Sequence, residues 1–204
     1  MHASHQQQSK LTRDRILQAA MRHFSECGYA AASIQRIART AKVTKPTIYY
    51  HFGSKVGLFR VLLDEADSAF EELVVYSAAR ALGLSEQLVE VCAALLEFAS
   101  THAQVAQLAL GSSVRASGDS PPQAHCRQRI LNRLGVIEKL MRKGLLDGTL
   151  RSPLKADMLA ACFLGLLHYQ FKLHLARSES RPMRRVAREL VAVFLHGAAV
   201  SDNS

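Results

Sequence analysis

The segment Ile37-Ala38-Arg39-Thr40-Ala41-Lys42-Val43-Thr44-Lys45-Pro46-Thr47-Ile48-Tyr49-Tyr50-His51-Phe52-Gly53-Ser54-Lys55 decides how this chain is organised. Two short helices that cross closely need small residues where they meet and apolar residues to lock their angle. Ile37, Ala38 and Ala41 on the first, Val43 in the turn, and Ile48 and Phe52 on the second supply that set, the pattern of a helix-turn-helix. Thr44 stands where a hydroxyl caps the second helix, and Pro46 falls in its first turn, where a missing amide hydrogen costs little. Lys45, Thr47, Tyr49, Tyr50 and His51 are then left facing outward, and hydroxyls, an imidazole and an ammonium donate well to phosphate oxygens. Each also has a structural reading: Tyr49 packing on the first helix, His51 as a helix-terminal donor, Arg39 as a solvated charge.

Working outward, Ser33, Thr44 and Ser54 each stand at the start of a short helical pattern, so compact, angled helices are predicted rather than one rod. Before them a helix is predicted from near Thr12, with Ile16, Ala20 and Phe24 inward and Gly28 closing it in a left-handed conformation. After them a long helix is predicted from Ser54 to about Tyr76, carrying Leu58, Leu62, Ala66, Phe70 and Leu73 on one face. Further helices are expected near 84–100, 103–115, 122–146, 155–177 and 183–199, with a break at 116–122, where a glycine and two prolines cannot continue a helix. No stretch alternates as a strand does. The fold class is therefore all-α, with about nine helices: a flexible N-terminus at 1–10, a three-helix helix-turn-helix domain at 11–56, and a helical domain at 57–200.

Charge is unevenly placed. Residues 1–60 hold ten Lys and Arg against two Asp and Glu, a net +8, while the other 144 residues hold sixteen against fifteen, a net +1. A basic head on a neutral body suits a polyanion held at one end, because neutralising phosphates releases condensed counterions. Nucleic acid, a lipid surface and a merely solvated face all remain open on charge alone. Met1 to Ser9 is polar and lacks the apolar core of a signal peptide, and the longest apolar run, Met158 to Leu167, is too short to span a bilayer. Cys27, Cys92, Cys126 and Cys162 have no paired spacing, which is expected of reduced thiols in a cytoplasm.

The Ile37–Lys55 stretch resembles the DNA-binding signature of the TetR (tetracycline-repressor) family of bacterial regulators. The Ile-Ala pair, the hydroxyl cap, the Tyr-x-His-Phe ending and the lysine three residues past that phenylalanine carry the resemblance, and the preceding helix and the length agree with it. About 50 residues hold the signature; the rest is similar only in size and helical layout. The family's turn usually has glycine where Lys42 stands, and a left-handed residue with a side chain costs roughly 1–2 kcal/mol.

The resemblance implies roles by position. Gln35 and Arg36 would face DNA, Lys45 and Thr47 would approach base edges or the nearby backbone, and Tyr49, Tyr50 and His51 would anchor phosphates. Lys55 would meet a phosphate at the start of the long helix, and Ser33 and Thr44 would cap and touch the backbone. Lys10 and Arg13 are either an arm on the DNA backbone or surface charges. The implied function is that of a transcriptional repressor, binding a palindromic operator as a homodimer in a bacterial cytoplasm, on the nucleoid when DNA-bound, and released by an unidentified small-molecule effector.

The resemblance also makes the second domain the site of effector binding and dimerisation. The last two helices, with Met158, Ala161, Gly165 and Phe171 on one and Met183, Ala187, Leu190, Phe194 and Ala198 on the other, would form the interface, although their residues alone fit an intramolecular core equally. Phe70, Phe98, His102, Asn132, Arg133 and His168 are candidate effector contacts, being aromatic or polar groups on or beside apolar stripes; a satisfied core histidine and a solvated arginine are the plainer readings of His168 and Arg133. No catalytic role is expected, since there is no Gly-rich phosphate loop, His-x-x-x-His pair or Glu-x-x-His pair. No cofactor or metal is expected either, the histidines and cysteines lying apart in sequence. A metal or redox sensor on the same scaffold, or a DNA-organising protein that controls no promoter, are the rival readings.

Overall fold

A computed structural model describes residues 2–81, 83–104, 106, 123–176 and 181–196. The described residues form eight helices: α1 (His2–Ala31), α2 (Ile34–Ala41), α3 (Lys45–Phe52), α4 (Lys55–Ala79), α5 (Leu84–Thr101), α6 (Gln123–Leu146), α7 (Ala156–Ala176) and α8 (Met183–His196). Of the helix expected near 103–115, only residues 103, 104 and 106 are among those described; the break at 116–122 and Ala198 lie outside them. The chain divides into two compact units, residues 1–68 with 103–128, and residues 69–102 with 129–204.

In the first unit, α1 starts ten residues before the expected Thr12. Burial at Ile16 signals only the inner part of the helix; the preceding Gln, Ser and Lys residues extend a helix already nucleated, which costs far less than starting one. Gly28 interrupts the helical backbone at φ 75°, ψ 171°, an extended positive-φ conformation rather than the left-handed one expected, and one that only glycine adopts readily. Ile16, Ala20 and Phe24 of α1, Ile37, Ala38 and Ala41 of α2, Ile48 and Phe52 of α3, and Leu58, Phe59, Leu62 and Leu63 of α4 bury one another in a single core. Each fully buried Leu, Ile or Phe contributes about 1.5–3 kcal/mol, so this small core fixes the angles of three short elements at once.

The turn from α2 to α3 is made by Lys42, whose φ of 54° and ψ of 47° are left-handed. Its amide and that of Val43 donate to the carbonyls of Arg39 and Ala38, closing the end of α2. Of the three hydroxyl caps expected, two form: Thr44 Oγ1 accepts from the Thr47 amide at 3.4 Å and Ser54 Oγ from the Gly57 amide at 3.0 Å. Ser33 holds the extended backbone of a cap, but its side chain makes no capping bond. Gly57 is required for another reason: a Cβ there would lie 2.1 Å from the Phe52 carbonyl oxygen.

In the second unit α5 is the central element, buried along Leu84, Leu88, Val91, Cys92, Leu95 and Leu96 and packed against both α7 and α8. Burial pushes the Cys92 thiol up to about 12, which leaves it an inert core side chain. Arg184 of α8 reaches Glu86 at 3.1 Å and also pairs with Glu90, fastening α8 to α5. The two final helices split the expected apolar stripes. Phe171, Ala187 and Leu190 are buried within the chain, and Phe163 meets Phe194 edge-on at 5.4 Å, whereas Met158, Ala161 and Gly165 are exposed. The inward stripe of α7 is Leu159, Phe163, Leu167 and Phe171, one position away from Met158, because both faces of this helix are apolar and their spacing is identical.

Candidate nucleic-acid interface

Helix α3 is anchored by Ile48, with no exposed surface, and Phe52, 8% exposed. Those two side chains turn the remainder of its surface outward. Tyr50 is 85% exposed and Tyr49 46%, so neither phenol is spent on the core. Lys45 is exposed, Thr47 and His51 are half-buried, and the His51 ring meets the Tyr50 ring edge-on at 5.3 Å. Exposing a large aromatic side chain forfeits the free energy of its burial, and a second aromatic on eight residues repeats that cost. What the pair offers in return is two hydroxyls beside an ammonium and an imidazole on one short helix.

Thr44 orders the start of this helix. Besides taking the Thr47 amide, its hydroxyl lies 2.9 Å from the Thr47 hydroxyl, so the two threonines fix each other's rotamers. On α2, Gln35 and Arg36 are exposed on the side opposite the buried Ile34, Ile37 and Ala38. His23 of α1 is joined to Thr40 at 2.9 Å, a polar tie that holds α2 against α1.

Lys55 is held by the protein itself. Its ammonium donates to the Ala30 carbonyl at 3.1 Å and lies 4.6 Å from the centre of the Tyr29 ring. Tyr29 in turn packs against Phe24 and Phe59, at 5.9 and 4.9 Å between ring centres. An ammonium has three donors, so one bond to Ala30 fixes the group and leaves capacity for an anion. The Tyr29–Ala30 support carries no signal in the spacing of the motif and was not read from the sequence; the aromatic run Phe24, Tyr29, Phe59 is its only trace. Arg13 is likewise engaged, 3.3 Å from Glu65 and 5.7 Å from the centre of the Phe52 ring, so its guanidinium braces α1 against α3 and α4.

The candidate effector residues fall into separate groups. Phe70, Arg133 and His168 belong to one neighbourhood: the Arg133 guanidinium lies 5.4 Å from the Phe70 ring centre, and Arg133 also acts electrostatically on His168. Phe98 and His102 stack on each other at 4.5 Å, and Asn132 is exposed. Burial first, then the Lys172 and Arg133 charges, hold His168 below the ordinary imidazole range, and its Nε2 is buried without a hydrogen-bond partner. His168 is therefore not the satisfied core histidine of the plainer reading. Among the described residues, no three His, Cys, Asp or Glu side chains gather as a group able to hold a metal ion, and no helix is long and apolar enough to cross a membrane.

Residues 16–62, which contain all of α2 and α3, match the family model described as bacterial regulatory proteins, tetR family. The chain is 25% identical over 148 residues to the transcriptional repressor NicS of Pseudomonas putida, covering 72% of this chain and 70% of the relative. Residues 16–62 are thus a DNA-binding segment of the TetR kind. The chain is a DNA-binding transcriptional regulator with the all-helical TetR fold. FadR of Bacillus subtilis, solved with stearoyl-CoA, superposes with a TM-score of 0.80 at 16% identity over 91% of this chain and 98% of that one. AibR, solved with isovaleryl coenzyme A and operator DNA, gives a TM-score of 0.73 at 20% identity over 90% and 98%. In TetR terms the basic head is the helix-turn-helix, and the matched segment ends inside α4.

Proposed function

We propose that this chain is a TetR-family cytoplasmic repressor without catalytic activity, acting as a homodimer on a palindromic operator and released when a small molecule binds its body. The observation that carries the reading is the outer face of α3, where Tyr49 and Tyr50 stand exposed beside Lys45 over buried Ile48 and Phe52. In this reading residues 11–56 are the DNA-binding head, with 1–10 preceding it, and residues 57–200 bind the effector and the second copy. Gln35, Arg36, Lys45 and Thr47 meet base edges and nearby backbone; Ser33, Thr44, Tyr49, Tyr50, His51 and Lys55 hold phosphates. Lys55 is the best prepared of these, because Ala30 and Tyr29 already hold its ammonium in place.

The exposed side of α7 supports pairing. Met158, Leu166 and Tyr169 are exposed large apolar residues, with Ala161 and Gly165 between them, and a Cβ at Gly165 would meet nothing within 4 Å. Such a stripe favours close approach of an equivalent helix, with α8 alongside through Val193. Two heads related by a two-fold axis then reach successive major grooves about 34–36 Å apart. NicS is a repressor, and the AibR and FadR structures hold coenzyme A thioesters, which favours repression and an effector in the body, contacted by some of Phe70, Phe98, His102, Asn132, Arg133 and His168.

The test is selection of bound fragments from random duplex DNA by the purified protein, followed by titration of the selected site. Enrichment of an inverted repeat is expected, and Tyr49→Ala or Lys55→Ala should each weaken its binding about tenfold, the loss of one good charge-assisted contact, with helical content unchanged. Enrichment of no repeat, or unchanged affinity in both variants, overturns the assignment.

A further inference from the structure

The ammonium of Lys55 is oriented by groups that do not neutralise it. Its hydrogen bond goes to the Ala30 carbonyl at 3.1 Å, and the centre of the Tyr29 ring lies 4.6 Å from its nitrogen. A carbonyl and an arene carry no net charge, so the side chain keeps its positive charge while losing freedom. Lysine otherwise has a long flexible stem, and ordering such a side chain on binding opposes association.

The support under Lys55 is stiff. Tyr29 stacks on Phe24 with their planes 17° apart, and Phe59 meets both rings at 4.9 Å. Phe24 and Phe59 are each 2% exposed, so the ring beneath the ammonium is backed by the core of the head. Gly28 sets where that ring stands. Its backbone, at φ 75° and ψ 171°, breaks α1 directly before Tyr29, and the Ala32 amide donates to the Gly28 carbonyl at 3.2 Å, which makes residues 29–31 a turn of their own. Both groups that hold Lys55 belong to this turn. A Cβ at position 28 would meet nothing within 4 Å, so it is the positive-φ break, rather than crowding, that calls for glycine. Tyr29 could fill space without any part in binding, but packing depends on the shape of a ring, whereas the hold on a cation depends on the ring's electrons.

We propose that Tyr29 is a positioning residue of the DNA contact: without touching DNA, it holds the Lys55 ammonium where a phosphate oxygen meets it, so that the lysine is ordered when the chain folds rather than when DNA binds. The proposal rests on the reading that Lys55 meets a phosphate, and it adds a residue that acts only through that lysine.

The test changes the electrons of the ring and leaves its shape nearly constant. Tyr29→Phe is the reference, compared in the full-length protein with phenylalanines carrying one, two and three ring fluorines at position 29, each with Lys55 and with Lys55→Ala. Affinity is measured for the selected inverted repeat and for unrelated duplex DNA, with the unfolding midpoint as a separate readout. With Lys55 present, affinity should fall stepwise with each fluorine, by about two- to tenfold over the series, the ordering of one long side chain. Both DNAs should respond alike, because a phosphate contact does not read sequence. In the Lys55→Ala background the series should be flat. A flat series with Lys55 present, equal steps in the two backgrounds, or tighter binding as fluorines are added would overturn the proposal, the last showing that the ring competes with phosphate for the ammonium. If Lys55→Ala alone weakens binding while the series is flat, the phosphate contact stands and only the role of Tyr29 falls; if Lys55→Ala has no effect, both fall.

Discussion

The head and the body of this chain leave opposite kinds of surface uncovered. In the head, α2 and α3 bury their aliphatic side chains and expose Gln35, Arg36, Lys45, Tyr49 and Tyr50; in the body, α7 buries one apolar face and exposes another, through Met158, Leu166 and Tyr169. A surface of donors and cations is suited to a hydrated polyanion, and an apolar stripe to a second protein surface of similar kind. The difference explains why the charge of the chain is concentrated in residues 1–60 while the rest is close to neutral. It also says which perturbation each half should feel.

Salt should separate them most widely. Raising ionic strength from about 50 to 200 mM should weaken operator binding on the order of 10³-fold if six or more phosphates are contacted, while sedimentation shows the dimer unchanged; a flat response would remove phosphate anchoring from the head. The converse perturbation is Leu166→Glu. Burying a carboxylate against its two-fold mate should weaken dimerisation on the order of 10²-fold, read as a monomer by sedimentation at micromolar concentration with helical content retained, and a dimer of undiminished strength would move the interface elsewhere.

Smaller effects test how rigidly the head holds its own geometry. Gly57→Ala forces a methyl group to within 2.1 Å of the Phe52 carbonyl and should cost about 1–3 kcal/mol in denaturant unfolding. An unchanged midpoint would mean that the approach of α3 to α4 relaxes freely. Lys42→Gly should act in the opposite direction, gaining about 1 kcal/mol by relieving a left-handed side chain net of the greater freedom of glycine in the unfolded chain. A loss of stability there would show that the lysine side chain contributes more than its backbone costs.

Much of the head was legible because its rules are local. Thr44 and Pro46 set the start of α3 within four residues of the turn, and Ile48 and Phe52, one helical turn apart, determine which way the tyrosines face. What escaped depends on partners far along the chain, such as Glu65 for Arg13 and Ala30 for Lys55, which no spacing rule supplies. The early start of α1 escaped because a polar helix end has no burial pattern, and the missing Ser33 cap because a hydroxyl in the right place need not adopt the bonding rotamer. In the body, helical length was readable and facing was not. When Leu159, Phe163 and Leu167 alternate with Met158, Cys162 and Leu166 around one helix, the hydrophobic period is satisfied twice, and only the position of α5 and α8 chooses between them.

The exposure of Tyr50 has a practical consequence. The chain contains no tryptophan, so Tyr50→Trp would install the sole indole at a position that is 85% open to solvent and, in the proposed complex, beside phosphate. Its emission would then report occupancy of each head directly, allowing association and effector-driven release to be followed in real time without a dye on either the protein or the DNA.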